Sequence, residues 1–291
     1  MAAVMLPNYR GGMTDFVPWT PTDAASHIAV PGESSDKYSR GVLGVITGSD
    51  QYPGAAVLGV EAALHTGVGM VRYLGGPRVS DLVLQRRPEA VTSDGRVQAW
   101  LIGSGTDHAS KEADAEAHVD SALSQSLPTI LDGGALERVT ESAGPTIITP
   151  HFGELARLLK ADKASIAANP SAWALRASDE LGVTVLLKGH RTYVAGGGVA
   201  LVASSAPVWT ATAGAGDALA GILGSLVATH ADRFAAEGSL LARLGATASV
   251  IHGLAASHAS GGGPFTVLGL AQSVPAVIAG LLGGQRRTAG F

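Results

Sequence analysis

From Gly41 onward the chain repeats one local pattern: a short run of β-branched and aliphatic residues, a glycine-bearing break, then a longer apolar stretch at helical spacing. GVLGVIT, bounded by Gly48-Ser49-Asp50, is followed by PGAAVLGVEAALHTG, which has Pro53 at its start and Gly67 at its stop. Proline belongs in the first turn of a helix and glycine just past its end, so this reads as strand, turn, helix. MVRYL, AWLIG, PTILD and PTIITP are further short strands, with helical stretches over 111–125 and 153–160. Strands that alternate with helices predict a mostly parallel sheet covered on both faces, a three-layer α/β/α domain.

Pro170 to Leu181 reads as a helix, TVLLKG as a strand, and TYVAGGGVALVAS as a hairpin turning at Gly196-Gly197-Gly198, which places an antiparallel edge on that sheet. Gly216 to His230, Glu237 to Ser260 and Leu268 to Leu282 are three apolar helices. Residues 1–40 are irregular, with one short helical candidate over Asp23 to Ile28, and read as an arm; 41–283 read as the domain and 284–291 as a frayed tail.

Composition narrows the chemistry. The 39 glycines in 291 residues are about twice the usual share and imply tight turns and close backbone approaches. No cysteine is present, which removes disulfides, thiolate nucleophiles, iron–sulfur clusters and thiolate zinc. A net charge of -4, with no basic run longer than Arg86-Arg87 or Arg286-Arg287, argues against nucleic acid. No stretch reads as about 20 continuous apolar residues and the N-terminus does not read as a signal peptide, so no membrane partner and a cytoplasmic location are expected. The nine histidines show no HxH or HExxH spacing, which predicts no dedicated metal centre.

The sharpest motif is Ala213-Gly214-Ala215-Gly216-Asp217-Ala218, directly before a long apolar helix. Two glycines bare the backbone N–H groups, and a helix N-terminus adds partial positive charge, so the segment is an anion cradle. A carboxylate there fits a base that takes a proton from a hydroxyl attacking phosphorus. A simple helix cap on a tight turn accounts for the tetrad equally well.

Gly-x-Gly-Asp before a C-terminal helix resembles the signature of the ribokinase-like superfamily. Thr149-Pro150-His151-Phe152-Gly153-Glu154 follows a strand where vitamin kinases of that fold carry Asn-x-x-Glu, with His151 in place of the Asn. Together with Gly48 to Val71, IGSGTD (Ile102 to Asp107) and LLKGHRTYV, in order from about Asp36 to Ser260, the chain is similar to the ADP/ATP-dependent NAD(P)H-hydrate dehydratase family.

That resemblance implies a ribokinase-like fold and repair of (6S)-NADHX or NADPHX: ADP, or ATP in other members, phosphorylates the C6 hydroxyl, and phosphate is eliminated to give NADH or NADPH. It makes Asp217 the catalytic base and Gly214, Ala215 and Gly216 backbone donors to the phosphoryl group. Lys188, Gly189, His190, Arg191 and Thr192 become adenine nucleotide contacts, although an ordinary hairpin turn explains them as well. Ala55, Gly105 and His151 would hold the hydrated nicotinamide nucleotide, and Glu154 would orient Mg2+ through water.

Asp132 and Gly133, at a strand end, are site lining. Asp36-Lys37-Tyr38-Ser39-Arg40-Gly41 departs from the family's element before its first strand, as do Ser104 and Thr106 in IGSGTD. About 40 residues before the first strand leave no room for an epimerase, which is expected as a separate protein. A homo-oligomer, such as a tetramer, is the expected assembly. A hydroxymethylpyrimidine or thiazole kinase and a silent nucleotide-binding scaffold are the competing readings, and an intact Asp217 argues against the scaffold.

Overall fold

The structure, a computed structural model, describes residues 15–106 and 113–288. The first 14 residues of the arm, Asp107 of IGSGTD, the Lys111 start of one expected helix and the last three residues lie outside it.

The repeating pattern becomes a nine-stranded sheet. In chain order the strands are β1 (Val17–Pro18), β2 (Val42–Ile46), β3 (Met70–Tyr73), β4 (Ala99–Ile102), β5 (Thr129–Leu131), β6 (Thr146–Ile148), β7 (Thr184–Leu187), β8 (Thr192–Gly196) and β9 (Val199–Ala203). Their spatial order is β1-β9-β8-β7-β6-β5-β4-β2-β3, and every pairing is parallel except those made by β8. Side chains alternate along each strand: Leu43, Val45, Leu101, Ile147 and Leu186 enter one core, while Val42, Ile46, Ile102, Ile148 and Leu187 enter the other.

The first core is covered by α2 (Pro53–Thr66), α8 (Ala215–Thr229), α9 (Leu240–Ser260) and α10 (Val267–Thr288). The second lies under α4 (Ala113–Ser124), α5 (Phe152–Leu158), α6 (Lys163–Ala168), α7 (Pro170–Leu181) and a 3-10 segment, Gly133–Glu141. A short α1 (Pro21–Ala25) packs on α9 and α10, and α3 (Pro77–Arg86) lies beside α2. Helices α7 and α2 begin and end where the Pro and Gly signals put them, with Gly67 and Gly182 as left-handed caps.

Other details differ from the sequence reading. The first strand is β1, two residues long, and it pairs with β9, so the hairpin is not the sheet's edge. Helix α10 runs to Thr288, past Gly283, because nothing in Gly-Gly-Gln-Arg-Arg breaks a helix outright. The expectation that no segment is long and apolar enough to cross a bilayer fails for two helices. An α9 span of 21 residues has mean hydropathy 1.2, and residues 267–284 of α10 reach 1.7. Both spans mix Ala, Val and Leu with glycine and small polar residues, so neither is a continuous apolar run. α9 is mostly buried against the sheet and its neighbours, whereas α10 is largely uncovered.

At the hairpin, Gly197 and Gly198 both have positive φ, 57° and 78°, which a two-residue turn matched to the strand twist requires.

Arg86-Arg87 has a structural purpose that composition did not reveal. Glu61, inside α2 and fully buried, accepts hydrogen bonds from Arg86 at 2.8 and 3.1 Å and from Arg87 at 2.5 and 2.6 Å, tying α3 to α2. Burial alone would raise the Glu61 carboxyl, but the two guanidiniums outweigh it and hold it below its ordinary value. Replacing Glu61 with Ala leaves two cations facing an apolar wall. A loss of roughly 2–4 kcal/mol is expected in urea unfolding at pH 7, below the range for fully buried pairs because both arginines stay partly solvated. Because the carboxyl is depressed, that difference should persist above about pH 5 and shrink as pH falls through the lowered value in the folded state.

Candidate functional site

The carboxyl ends of β4, β5, β6 and β7 meet in one polar cluster. Asp132 follows β5, and its carboxylate accepts hydrogen bonds from Ser104 Oγ at 2.8 Å, Thr149 Oγ1 at 2.7 Å and Lys188 Nζ at 2.8 Å. The three donors follow β4, β6 and β7, so one buried carboxylate ties four neighbouring strands together. Burial pushes the Asp132 carboxyl up, but the Lys188 ammonium, with Thr149 and Ser104, more than offsets this and leaves it below its ordinary value.

Lys188 Nζ also stands 3.7 Å from Glu154 Oε2. Burial favours its neutral form, yet Asp132, Glu154 and Asp217 keep it charged and raise its proton affinity. The same ammonium reaches the cradle: a Cβ placed on Gly216 would lie 3.5 Å from Nζ.

The cradle is the start of α8. Gly214 is the N-cap, in the left-handed region at φ 91°, and it has no side chain to close the helix. The first-turn N–H groups therefore face the site. Asp217 is the third helical residue and not the cap, which removes the simpler explanation of the tetrad. Burial, reinforced by the negative charge of Asp132 and only partly countered by Lys188, pushes its carboxyl up to about 6. A carboxylate of that proton affinity is a better base than an exposed one and is still ionised at neutral pH. Below the cradle, His252 Nε2 donates to the Ala215 carbonyl at 2.9 Å; that ring is fully buried and its value is pushed down to about 4, so it stays neutral.

His151 is the N-cap of α5: its Nδ1 accepts from the Glu154 N–H at 3.0 Å, and Glu154 Oε2 accepts from the His151 N–H at 2.7 Å. An imidazole nitrogen thus supplies the capping acceptor that Asn would provide, and the ring remains exposed with Nε2 outward, 3.6 Å from Glu154 Oε1. Among the described residues no cluster of three or more His, Asp or Glu is arranged to hold a metal ion.

Ala55 and Gly105 come together: a Cβ on Gly105 would fall 2.3 Å from that of Ala55. Gly189, His190 and Arg191 form the exposed turn between β7 and β8, and Thr192 opens β8. Lys188 and Glu154 thus stand at the carboxyl ends of the central parallel strands, with the cradle of Gly216 and Asp217 beside them. Asp132 was legible only as lining, and Ser104, Thr149 and His252 were not singled out for the site. The signal was available for three of them, since each polar residue ends a strand in an otherwise apolar run.

The chain is similar in sequence and fold to known proteins. The sequence profile described as NAD(P)H-hydrate dehydratase matches residues 43–265. A bifunctional NAD(P)H-hydrate repair enzyme of Mycobacterium tuberculosis is 40% identical over 231 residues, covering 74% of this chain and 47% of the relative; the chain thus spans about half the length of that protein. An ADP-dependent (S)-NAD(P)H-hydrate dehydratase of Xanthomonas campestris pv. campestris is 32% identical, covering 71% of this chain and 79% of the relative. The ADP/ATP-dependent NAD(P)H-hydrate dehydratase of Bacillus subtilis, co-crystallised with ATP/Mg2+, shares the fold at a TM-score of 0.78 and 23% identity, over 92% of this chain and 99% of the other. With its profile match running from β2 to the loop before α10, the chain belongs to the NAD(P)H-hydrate dehydratase family.

Proposed function

We propose that the chain dehydrates (6S)-NADHX and NADPHX, using ADP as phosphoryl donor. The observation that carries this reading is a buried carboxylate of raised proton affinity, Asp217, at an uncapped helix N-terminus beside the Lys188 ammonium.

Asp217 takes the proton of the C6 hydroxyl as that oxygen attacks the terminal phosphorus of ADP, and the bond to AMP breaks. Backbone N–H groups of Gly214, Ala215 and Gly216, with Lys188, stabilise the charge on the transferring phosphoryl. The C6 phosphate ester then loses phosphate while a proton leaves C5, which restores the ring double bond. The turn over Gly189 to Thr192 borders the adenosine of the nucleotide, and Ala55, Gly105 and His151 hold the hydrated nicotinamide.

Mg2+, when bound, would supply neutralisation of the phosphate charge. Asp132 is saturated by three donors and does not fit as its ligand. Glu154 fits through water, because Oε1 accepts no hydrogen bond within the described residues and the side chain is 14% exposed. This reading places the protein in the cytoplasm as a homo-oligomer, a tetramer by family habit, and the uncovered apolar length of α10 supports assembly.

The test mixes the purified protein with (6S)-NADHX, Mg2+ and either ADP or ATP and follows near-ultraviolet absorbance of dihydronicotinamide. Recovery that requires ADP is expected. No recovery with either nucleotide, from folded protein, overturns the reading in favour of a vitamin-precursor kinase.

A further inference from the structure

The parallel register of β6 and β7, Ile147 beside Thr184 and Ile148 beside Val185, continues beyond the two strands. His151 pairs with Lys188, and the Lys188 N–H donates to the Pro150 carbonyl at 2.8 Å. One step further, the same register sets Phe152 beside Gly189. Phe152 is the first residue of α5, directly after the cap His151, and Gly189 opens the turn between β7 and β8.

Two side chains do not fit at that step. A Cβ on Gly189 would fall 3.0 and 3.2 Å from two ring carbons of Phe152, Cζ and Cε1, and 3.1 Å from the Arg191 carbonyl oxygen. The φ of Gly189 is not in the left-handed region, so backbone conformation does not demand a glycine there. What demands it is the space taken by the Phe152 ring and by the turn's own carbonyl. Phe152 is half-buried and packs against the second core, whereas Gly189, His190 and Arg191 are exposed. Among the described residues neither His190 nor Arg191 has a side-chain hydrogen bond or ion pair, so the ring is the firm surface against which the turn lies.

We propose that Phe152 is a positioning residue for the phosphoryl donor: its ring is the stop on which Gly189 rests, and it sets the height of the turn that borders the nucleotide. The assignment rests on the dehydratase reading, and Phe152 acts through the turn, not on the reacting atoms. A turn held at one height is preorganised for its ligand, and loosening it costs affinity without touching the chemistry.

A double-mutant cycle tests the assignment. Gly189→Ala pushes a methyl group against the ring, Phe152→Leu removes the ring, and the two together make room for the methyl. In turnover of (6S)-NADHX, Phe152→Leu should raise KM for ADP about three- to tenfold, with kcat and the KM for the hydrate changed less than about twofold. Gly189→Ala should raise KM for ADP at least as much. The double variant should have a KM for ADP at or below that of Gly189→Ala, so that the measured loss is about threefold or more below the product of the single losses. Losses that multiply, or a KM for ADP unmoved by Phe152→Leu in folded protein, overturn the assignment. Equal rises in both KM values with a lowered Tm make Phe152 a packing residue alone and overturn it as well. Phe152→Met takes the place of Phe152→Leu in the same cycle if the latter does not fold. Calorimetric titration with ADP and with ATP repeats the cycle on Kd, without turnover. Wild type that turns over no hydrate with either nucleotide therefore defeats the dehydratase reading, while the Kd cycle still decides whether Phe152 sets the turn.

Discussion

Asp217→Asn should abolish turnover, by about 10²–10⁴-fold in kcat, while nucleotide affinity stays close to that of wild type. The amide keeps the size of the carboxyl but cannot accept a proton, and the cradle that meets the phosphates is backbone. In wild type, kcat should fall as pH drops through about 6, where the buried Asp217 carboxyl takes up a proton. The variant should also be more stable at neutral pH. A carboxyl raised from about 4 unfolded to about 6 folded costs the native state stability wherever it is ionised, fully above pH 6 and not at all below about pH 4. Removing it should raise stability at pH 7 by of order 1–3 kcal/mol, less where solvent reaches the group. Thermal unfolding at pH 7 and pH 4 checks the sign. An inactive variant with a higher Tm excludes misfolding as the cause; retained turnover would remove Asp217 from the chemistry.

Asp132→Asn should be nearly as damaging although the residue sits behind the site. The amide oxygen can still accept from Ser104 or Thr149, but the Lys188 ammonium loses its closest counter-charge. Lys188 then leans toward Glu154 and Asp217. Two effects push the Asp217 carboxyl down: the neighbouring negative charge is gone and the ammonium is freer to pair with it. The acid limb of kcat against pH should therefore move to lower pH, with a loss of about tenfold or more at neutral pH from the weaker base and the displaced cation. Stability should fall by about 1.5–3 kcal/mol for the lost charged hydrogen bond. Because the Asp132 carboxyl is depressed in the native state, that loss is present at neutral pH and disappears only at strongly acid pH. An unmoved acid limb in folded protein would show that Asp132 only staples the strands.

The sequence disclosed the alternation, the helix boundaries at Pro53, Gly67, Pro170 and Leu181, and the cradle around Asp217, because each depends on residues close in the chain. It disclosed less where distant segments meet. β1 is two residues, one of them a proline, and only its pairing to Leu201 and Val202 makes it a strand. Arg86-Arg87 read only as a short basic run, and its partner Glu61, buried in α2 25 residues before Arg86, is visible only in the fold. Asp132 showed its importance only when three donors from three other strands were seen to converge on it. His151 was recognisable as a replacement for Asn, but that it caps α5 through Nδ1 needed the backbone geometry.

One contact bears on how the site is framed. Helices α2 and α8 cross with backbone against backbone: a Cβ on Gly221 would lie 2.1 Å from the Gly59 carbonyl oxygen, and one on Gly59 would lie 3.5 Å from that of Asp217. At that crossing the two backbones meet with no side chain interposed, so a residue larger than glycine at 221 would force the helices apart. Ala55 lies in the first turn of α2 and Asp217 in the first turn of α8, so the crossing joins the two helices that carry them. The span between the proposed substrate anchor and the proposed base is therefore set by one glycine-to-glycine crossing, like the hinge pin of a caliper.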